Sequence, residues 1–365
     1  MAEAVQTPLA GSHHARGAVL ANYHGAAVPL RYSDPVKEHQ AVRQAAGVFD
    51  FSFRAMFALT GDDRARFLHR IVSNDIKKLV PGQGTYATLL NAQGHILTDF
   101  RVYCVDDRLL IDTDADLHEK TMQSLQRYII GDRVQIVPAD CFALAIQGPE
   151  SRAFLDSFLP SGLPLNNEYD HLTTDYYGMP VQVIRSTSTG EEGYEIWTQA
   201  KDIIKIWESL NGQMSTGRLM PCGSEALETL RIEAGIPRYG PDMGEDTLPL
   251  EAGLLNALSF NKGCYIGQEI VERARSRGHV NWKLCGLFVE GARLPSQGEK
   301  VLSAGKETGE VTSACVSPTI GKTIAMAYLR REVSVPGTEL TLASGAAAKA
   351  AALPFYSPSA HTTGA

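Results

Sequence analysis

NKGCYIGQEIVERARSRGHVNW, residues 261–282, is the stretch around which the rest of the chain is organised. Gly263 and Gly267 bracket Cys264, Tyr265 and Ile266, which predicts a tight, closely approached loop rather than the middle of a helix or strand. From Gly267 the pattern turns helical: Ile270, Val271 and Ala274 form an apolar stripe, Glu269 lies one turn before Arg273, and Gly278 supplies a stop. Cys264 therefore stands just ahead of a short helix. The helix dipole and Lys262 favour a thiolate there, while Glu269 and Glu272 oppose it. Two readings stay open, a reactive thiol and a small buried packing residue. Arg273, Arg275 and Arg277 read as a solvated, ion-paired face.

A chain of 365 residues, 44% hydrophobic and 21% charged, is long enough for two or three cores of ordinary globular protein. Its net charge of −7 and the lack of any basic stripe longer than Arg273 to Arg277 argue against direct nucleic-acid binding, which needs many phosphate contacts. The six cysteines, at 104, 141, 222, 264, 285 and 315, form no CxxC pair and have no histidine at zinc-ligand spacing, so no structural metal is expected and a reducing compartment fits best. There is no run of about 18 apolar residues and no basic-then-apolar leader. The expectation is a cytoplasmic protein without a membrane partner, a monomer being favoured over an oligomer.

Residues 1–16 are small and polar and read as a loose leader, His13 and His14 included. A short strand over 27–32 is followed by Ser33-Asp34-Pro35, a cap with proline at the first helical position, and a helix that Gly47 stops. Strands follow at 48–51 and 55–60, and Asp62 or Asp63 caps a helix carrying Phe67, Leu68, Ile71 and Val72 on one face. Residues 85–90 and 95–105 read as paired strands joined by the turn 91–94. Alternation in the second puts Ile96, Thr98, Phe100 and Val102 on one face and Leu97, Asp99, Arg101 and Tyr103 on the other. Asp99 is thus a mid-strand carboxylate, either a functional group or a wet-face residue paired with Arg101. Further strands are expected at 109–112, 134–137, 142–146 and 181–184, with helices at 117–130 and 149–159. The turn 190–193 leads into Tyr194-Glu195-Ile196-Trp197, a carboxylate among aromatics, and amphipathic helices follow at 203–210 and 224–233. Residues 234–246 are too rich in turn residues to be regular, and long ordered loops tend to be functional. Beyond Trp282, short closely spaced strands such as 284–289, 310–316, 323–328 and 339–342 predict a small all-β domain. Neither GxGxxG nor GxxxxGK[ST] occurs, and the mixed order of elements favours α+β.

The block Lys262-Gly263-Cys264-Tyr265-Ile266-Gly267-Gln268-Glu269 resembles the KGCYxGQE signature of the YgfZ group of folate-binding proteins. The chain from about 17 to 356 is similar to the wider glycine-cleavage T-protein (aminomethyltransferase) superfamily, in residues 38–43 and 47–50, 91–99, 147–149, 190–195, 231–235 and 249–252. That resemblance implies a three-lobed α+β fold with a central folate channel: a lobe from 17–51 and 141–280, an inserted lobe from 52–140, and a C-terminal β-barrel from 281–356, with 1–16 and 357–365 disordered. It implies Asp99 beside the reactive nitrogens of tetrahydrofolate, Glu195 gripping the pteridine, and Tyr194 and Arg231 in the same binding site. The sequence departs from the T-protein pattern at Leu227, where an arginine is usual, at Thr98, where a second aspartate is usual, and at Cys264.

Two functions are implied. The favoured one is a tetrahydrofolate-binding accessory protein for iron–sulfur cluster assembly or repair, serving clients that include tRNA-modifying enzymes, with Cys264 as its working thiol and iron–sulfur client or assembly proteins as partners. The alternative is a folate-dependent aminomethyltransferase with Asp99 at its centre.

Overall fold

The computed structural model describes residues 4–358 except 160–161, 277, 279 and 292, so Arg277 and residues 359–365 of the expected tail lie outside the described residues. Three sheets and a closed barrel carry the architecture. A five-stranded sheet takes the order Gly84–Leu90, Ile96–Cys104, Leu109–Asp114, Arg54–Thr60, Gln135–Ala139. A six-stranded sheet takes the order His171–Tyr176, Met179–Arg185, Gly193–Thr198, Phe142–Gln147, Gly47–Asp50, Met220–Pro221. A small sheet joins Val5–Gln6, Ala26–Arg31 and Val19–Tyr23. The barrel closes through Trp282–Val289, Lys322–Arg330, Lys306–Ser317, Lys300–Ser303, Glu339–Leu342 and Ala347–Ala351. The expected α+β class with a C-terminal β-barrel is what is observed.

Local chemistry explains most of these elements. Asp34 caps the helix Pro35–Gln44 by accepting from the Val36 amide at 2.9 Å, as its sequence predicts. Asp63 sits at the N-cap of Arg64–Ile71 without capping it; its carboxylate accepts instead from the Arg133 amide at 3.0 Å and ties that helix to the turn that enters the strand Gln135–Ala139. In Ala200–Ser215 the stripe Ile203, Ile206, Trp207, Leu210 and Met214 is buried against Leu144, Ile146 and Ile196 of the six-stranded sheet. The strands 300–303 and 347–351 escape sequence reading because barrel closure, not propensity, creates them. Ala348 and Ala350 are buried in the barrel core, and alanine carries no strand signal of its own.

The loose leader expected for residues 1–16 is not observed from residue 4 onward. Val5–Gln6 pairs in parallel with Ala26 and Ala27, and the helix Ala10–Ala15 buries His13. His13 Nε2 lies 2.8 Å from Asp50 Oδ2 and its Nδ1 lies 2.8 Å from the Tyr32 hydroxyl. The ring stands edge-on to Trp207 at 5.0 Å between centroids. A polar residue with both ring nitrogens satisfied can be buried without penalty, and composition does not reveal that. No helix among the described residues is long and apolar enough to cross a membrane.

Candidate active site

The strand Ile96–Cys104 alternates as its sequence requires. Ile96, Thr98, Phe100 and Val102 are buried beneath the sheet, where the Thr98 hydroxyl lies 2.7 Å from that of Thr121. Asp99 and Arg101 point the other way, into a cavity of about 660 Å³. Its walls come from the five-stranded sheet, the helix Ser224–Glu233, and loops that include 168–169, 187–188, 235–239 and 253–256. The Tyr86 hydroxyl donates to Asp99 Oδ2 at 2.7 Å; Tyr86 stands opposite Arg101 on the neighbouring strand, a diagonal neighbour of Asp99. Burial, with the negative charge of Asp114 behind it, outweighs the help of Tyr86, Arg54 and Arg101 and pushes the Asp99 carboxyl up to about 6.

Four arginines line the same cavity, Arg54, Arg101, Arg231 and Arg238, and each is committed to carboxylates. Arg54 donates to Asp112 at 2.9 Å and to Asp114 at 2.6 Å. Arg101 donates to Glu195 Oε1 at 2.5 Å and to Asp112 at 3.3 Å. Arg231 donates to Glu228 at 2.8 Å, to Asp242 at 2.7 Å and to the Ser313 hydroxyl of the barrel at 2.9 Å. Arg238 reaches Asp114 at 3.2 Å and Glu228 at 3.3 Å, with its guanidinium over the Tyr23 ring at 4.5 Å. Of the three carboxylates that line the cavity, Asp114 is ion-paired with Arg54 and Arg238, whereas among the described residues Asp99 has a tyrosine hydroxyl as its partner and Glu168 accepts from the Thr187 amide at 2.9 Å, neither with a cation.

The residues expected beside Asp99 are placed differently. Glu195 is fully buried; its second oxygen accepts from the Trp197 indole N–H at 2.9 Å, and Arg101 stands between it and the cavity. Tyr194, next to it in the strand, faces the opposite side of the sheet by simple alternation, in the core with Trp207, and donates to Glu192 at 2.8 Å. It cannot reach a ligand in the cavity. Arg231 lines the cavity, but its donors are spent on Glu228 of its own helix, on Asp242 and on Ser313 of the barrel.

Comparison with known proteins follows the same lines. Residues 9–262 match the GCVT N-terminal domain and residues 283–357 match the glycine cleavage T-protein C-terminal barrel domain. The chain belongs to the glycine-cleavage T-protein family. An aminomethyltransferase of Streptomyces coelicolor is 34% identical over 92% of this chain and 91% of its own length, and one of Streptomyces avermitilis is 35% identical over 91% of each. The crystal structure of the glycine cleavage system aminomethyltransferase T from Bartonella henselae superposes with a TM-score of 0.88 at 26% identity, covering 97% of this chain and 98% of that one. These relatives overturn the expectation of an iron–sulfur accessory protein, since they are aminomethyltransferases over nearly their whole length.

Within this T-protein fold the motif at 262–269 has a different part from the one expected of it. Cys264 is exposed and does not line the cavity. Lys262 does not attend the thiol: its buried ammonium donates to the carbonyls of His69, Val72 and Asn74, which close the helix Arg64–Ile71. Burial pulls its pKa down to about 8, yet three carbonyls match the three N–H bonds of the charged form. Gly267 has φ +79°, and a Cβ there would meet Asn91 O at 2.7 Å. It thus lets the loop lie directly on the turn that precedes the Asp99 strand. Tyr265 is buried with Leu90, Ile96 and Val271, and Gln268 Oε1 accepts from the Tyr265 amide at 3.3 Å. Gly263 is exposed, and Glu269 pairs outward with Arg273 at 2.6 Å.

Sequence reading missed Arg54, Tyr86, Asp114 and Arg238. One signal was present: Arg238 lies in the loop 234–246 singled out as functional. His24, Asp114 and Asp116 offer ligand atoms within 4.8 Å of one another. Asp114 is already ion-paired with Arg54 and Arg238, so this cluster is balanced by cations of the chain itself.

Proposed function

We propose that this protein transfers a one-carbon unit from an amine donor to tetrahydrofolate, the aminomethyltransferase-type reaction, in the cavity that holds Asp99. The observation that carries the proposal is that Asp99, on the five-stranded sheet, faces the cavity with a tyrosine hydroxyl as its partner and no cation, among arginines that are all committed to other carboxylates. Tyr86, Tyr169 and Tyr239 supply flat faces for a fused ring, and the volume of about 660 Å³ is that of a small-molecule site. Bound tetrahydrofolate would supply the nitrogens that accept the carbon. Asp99, when ionised, lowers the energy of the cationic one-carbon unit as the donor amine departs with its electron pair. At a pKa of about 6 it is also basic enough to take the proton that an attacking nitrogen must lose near neutral pH. Tyr86 orients the carboxylate.

The KGCYIGQE block supports placing this chain near the YgfZ group by lineage, without that group's iron–sulfur role. We also propose the lobe division at 17–51 with 141–280, 52–140 and 281–356, and work in the cytoplasm, in line with six free cysteines. The test is calorimetric titration with tetrahydrofolate followed by single-turnover assays with an aminomethyl donor. Binding with one-carbon transfer is the expected result; no binding of tetrahydrofolate removes the proposal.

A further inference from the structure

We infer that Glu168 is a specificity-determining residue: its carboxylate accepts from an amino group on the edge of the bound ring, beside a donor supplied by Arg101. The inference rests on the proposed function and deepens it. Glu168 and Tyr169 follow one another in the chain, yet both line the cavity. In extended backbone successive side chains point to opposite sides, so two in a row facing one space need a break in the regular course of the chain. Tyr169 makes that break. Its φ is +68°, in the left-handed region that an aromatic residue rarely adopts, and hydrogen bonds on both sides hold it there. The Tyr169 amide donates to the Arg185 carbonyl at 2.8 Å, the Arg185 amide donates to the Asp170 carbonyl at 2.9 Å, and the Asp170 carboxylate accepts from the Asn167 amide at 2.8 Å. A backbone outlier held at several points and set on a cavity wall points to a ligand.

The Glu168 carboxylate is only half used. Its Oε1 accepts from the Thr187 amide at 2.9 Å, and among the described residues nothing donates to its Oε2 and no cation pairs with it. Arg101, whose guanidinium lies 5.9 Å from the centre of the Tyr169 ring, spends only Nη1 on Glu195 and Asp112 among the described residues, and 13% of its side chain is accessible. A flat ring lying against Tyr169 therefore meets an acceptor, Glu168 Oε2, and a donor, Arg101. The ring edge that matches this pair carries an amino group and a carbonyl oxygen, and the pterin of tetrahydrofolate has both. Glu168 is exposed, so water competes for its oxygen, and the discrimination is about tenfold rather than the several orders of magnitude of a sealed acceptor.

The experiment is calorimetry on the full chain with tetrahydrofolate and with its analogue carrying hydrogen in place of the 2-amino group. The wild type is expected to bind tetrahydrofolate about tenfold more tightly than the analogue. In Glu168→Gln the amide oxygen can keep the Thr187 bond while its NH2 group takes the place of Oε2, so an acceptor becomes a donor and the loop is still held. Affinity for tetrahydrofolate should then fall by about tenfold, affinity for the analogue should stay within about twofold, and the preference should vanish. Glu168→Ala should abolish the preference as well, and it carries the test if Glu168→Gln does not fold. An equal loss for both compounds would mean a structural role only, and a preference that survives both substitutions would put the amino group against another residue. Either result, or a wild type that does not distinguish the two compounds, overturns the inference and leaves the proposed function standing. If the wild type binds neither compound, the proposed function fails and the inference goes with it.

Discussion

Asp99 is the residue on which the chemistry turns, and its environment makes its charge conditional. Burial and the nearby charge of Asp114 raise its pKa to about 6, above the ordinary aspartate value that an unfolded chain would show. The folded protein thus holds a proton more tightly than the unfolded one between about pH 4 and 6. Asp99 therefore opposes folding increasingly as pH rises through that window, and by a constant amount above it. Asp99→Asn should raise stability at pH 8 by about 1–2 kcal/mol, after allowance for the partial exposure of the group, and the gain should vanish towards pH 4. Urea titrations at the two pH values check this. The same substitution should remove an acidic limb near pH 6 from the pH profile of kcat/KM. Period-two alternation made Asp99 legible in the sequence, because its neighbours Thr98 and Phe100 must point into the core. The commitment of Glu195 was not legible: Arg101 lies 94 residues away along the chain, and only the packing of two sheets brings them together.

At the scale of elements, the 262–269 loop is a brace for the strand that bears Asp99. Its glycines and its apolar residues pointed to a tight, closely approached loop, which is what Gly267 makes against Asn91 and Gly94. The partner of Lys262 could not be read from sequence, since backbone carbonyls at the end of a distant helix leave no signature in side-chain identity. Lys262→Met strips the three carbonyls of His69, Val72 and Asn74 of their donor, and should cost about 2–3 kcal/mol of unfolding free energy. Cys264→Ser, at an exposed position away from the cavity, should stay within about 0.5 kcal/mol of wild type and leave turnover unchanged. Denaturant curves for the two variants side by side test the assignment. A large loss of turnover in Cys264→Ser with stability intact would restore a chemical role to the thiol.

At the scale of the whole molecule, buried ionic clusters fasten the helices Pro35–Gln44 and Ser224–Glu233 to the barrel. Glu233, at the end of the helix Ser224–Glu233, accepts from Arg43 at 2.7 Å and lies 2.8 Å from His39 Nε2, and it takes the hydroxyls of Ser317 and Thr319 from the barrel side. Burial works against its charge, but the bonds from His39, Ser317 and Arg43 prevail and bring its pKa down to about 2. The unfolded chain binds a proton there first as pH falls, so this stabilisation is present above about pH 5 and is lost between there and pH 2. Glu233→Gln should cost about 3 kcal/mol at pH 7 and far less at pH 2, read from denaturant midpoints at both. Helix-to-barrel contacts of this kind were the least legible level, although the family resemblance pointed to a C-terminal barrel. The measurement that bears most directly on the central claim is one-carbon transfer to tetrahydrofolate by wild type and Asp99→Asn, with tetrahydrofolate affinity determined on the same samples. Transfer should fall by about 100-fold or more in the variant while affinity changes by only a few-fold. Equal transfer by the two proteins, or none by the wild type when it is saturated with tetrahydrofolate, would contradict it.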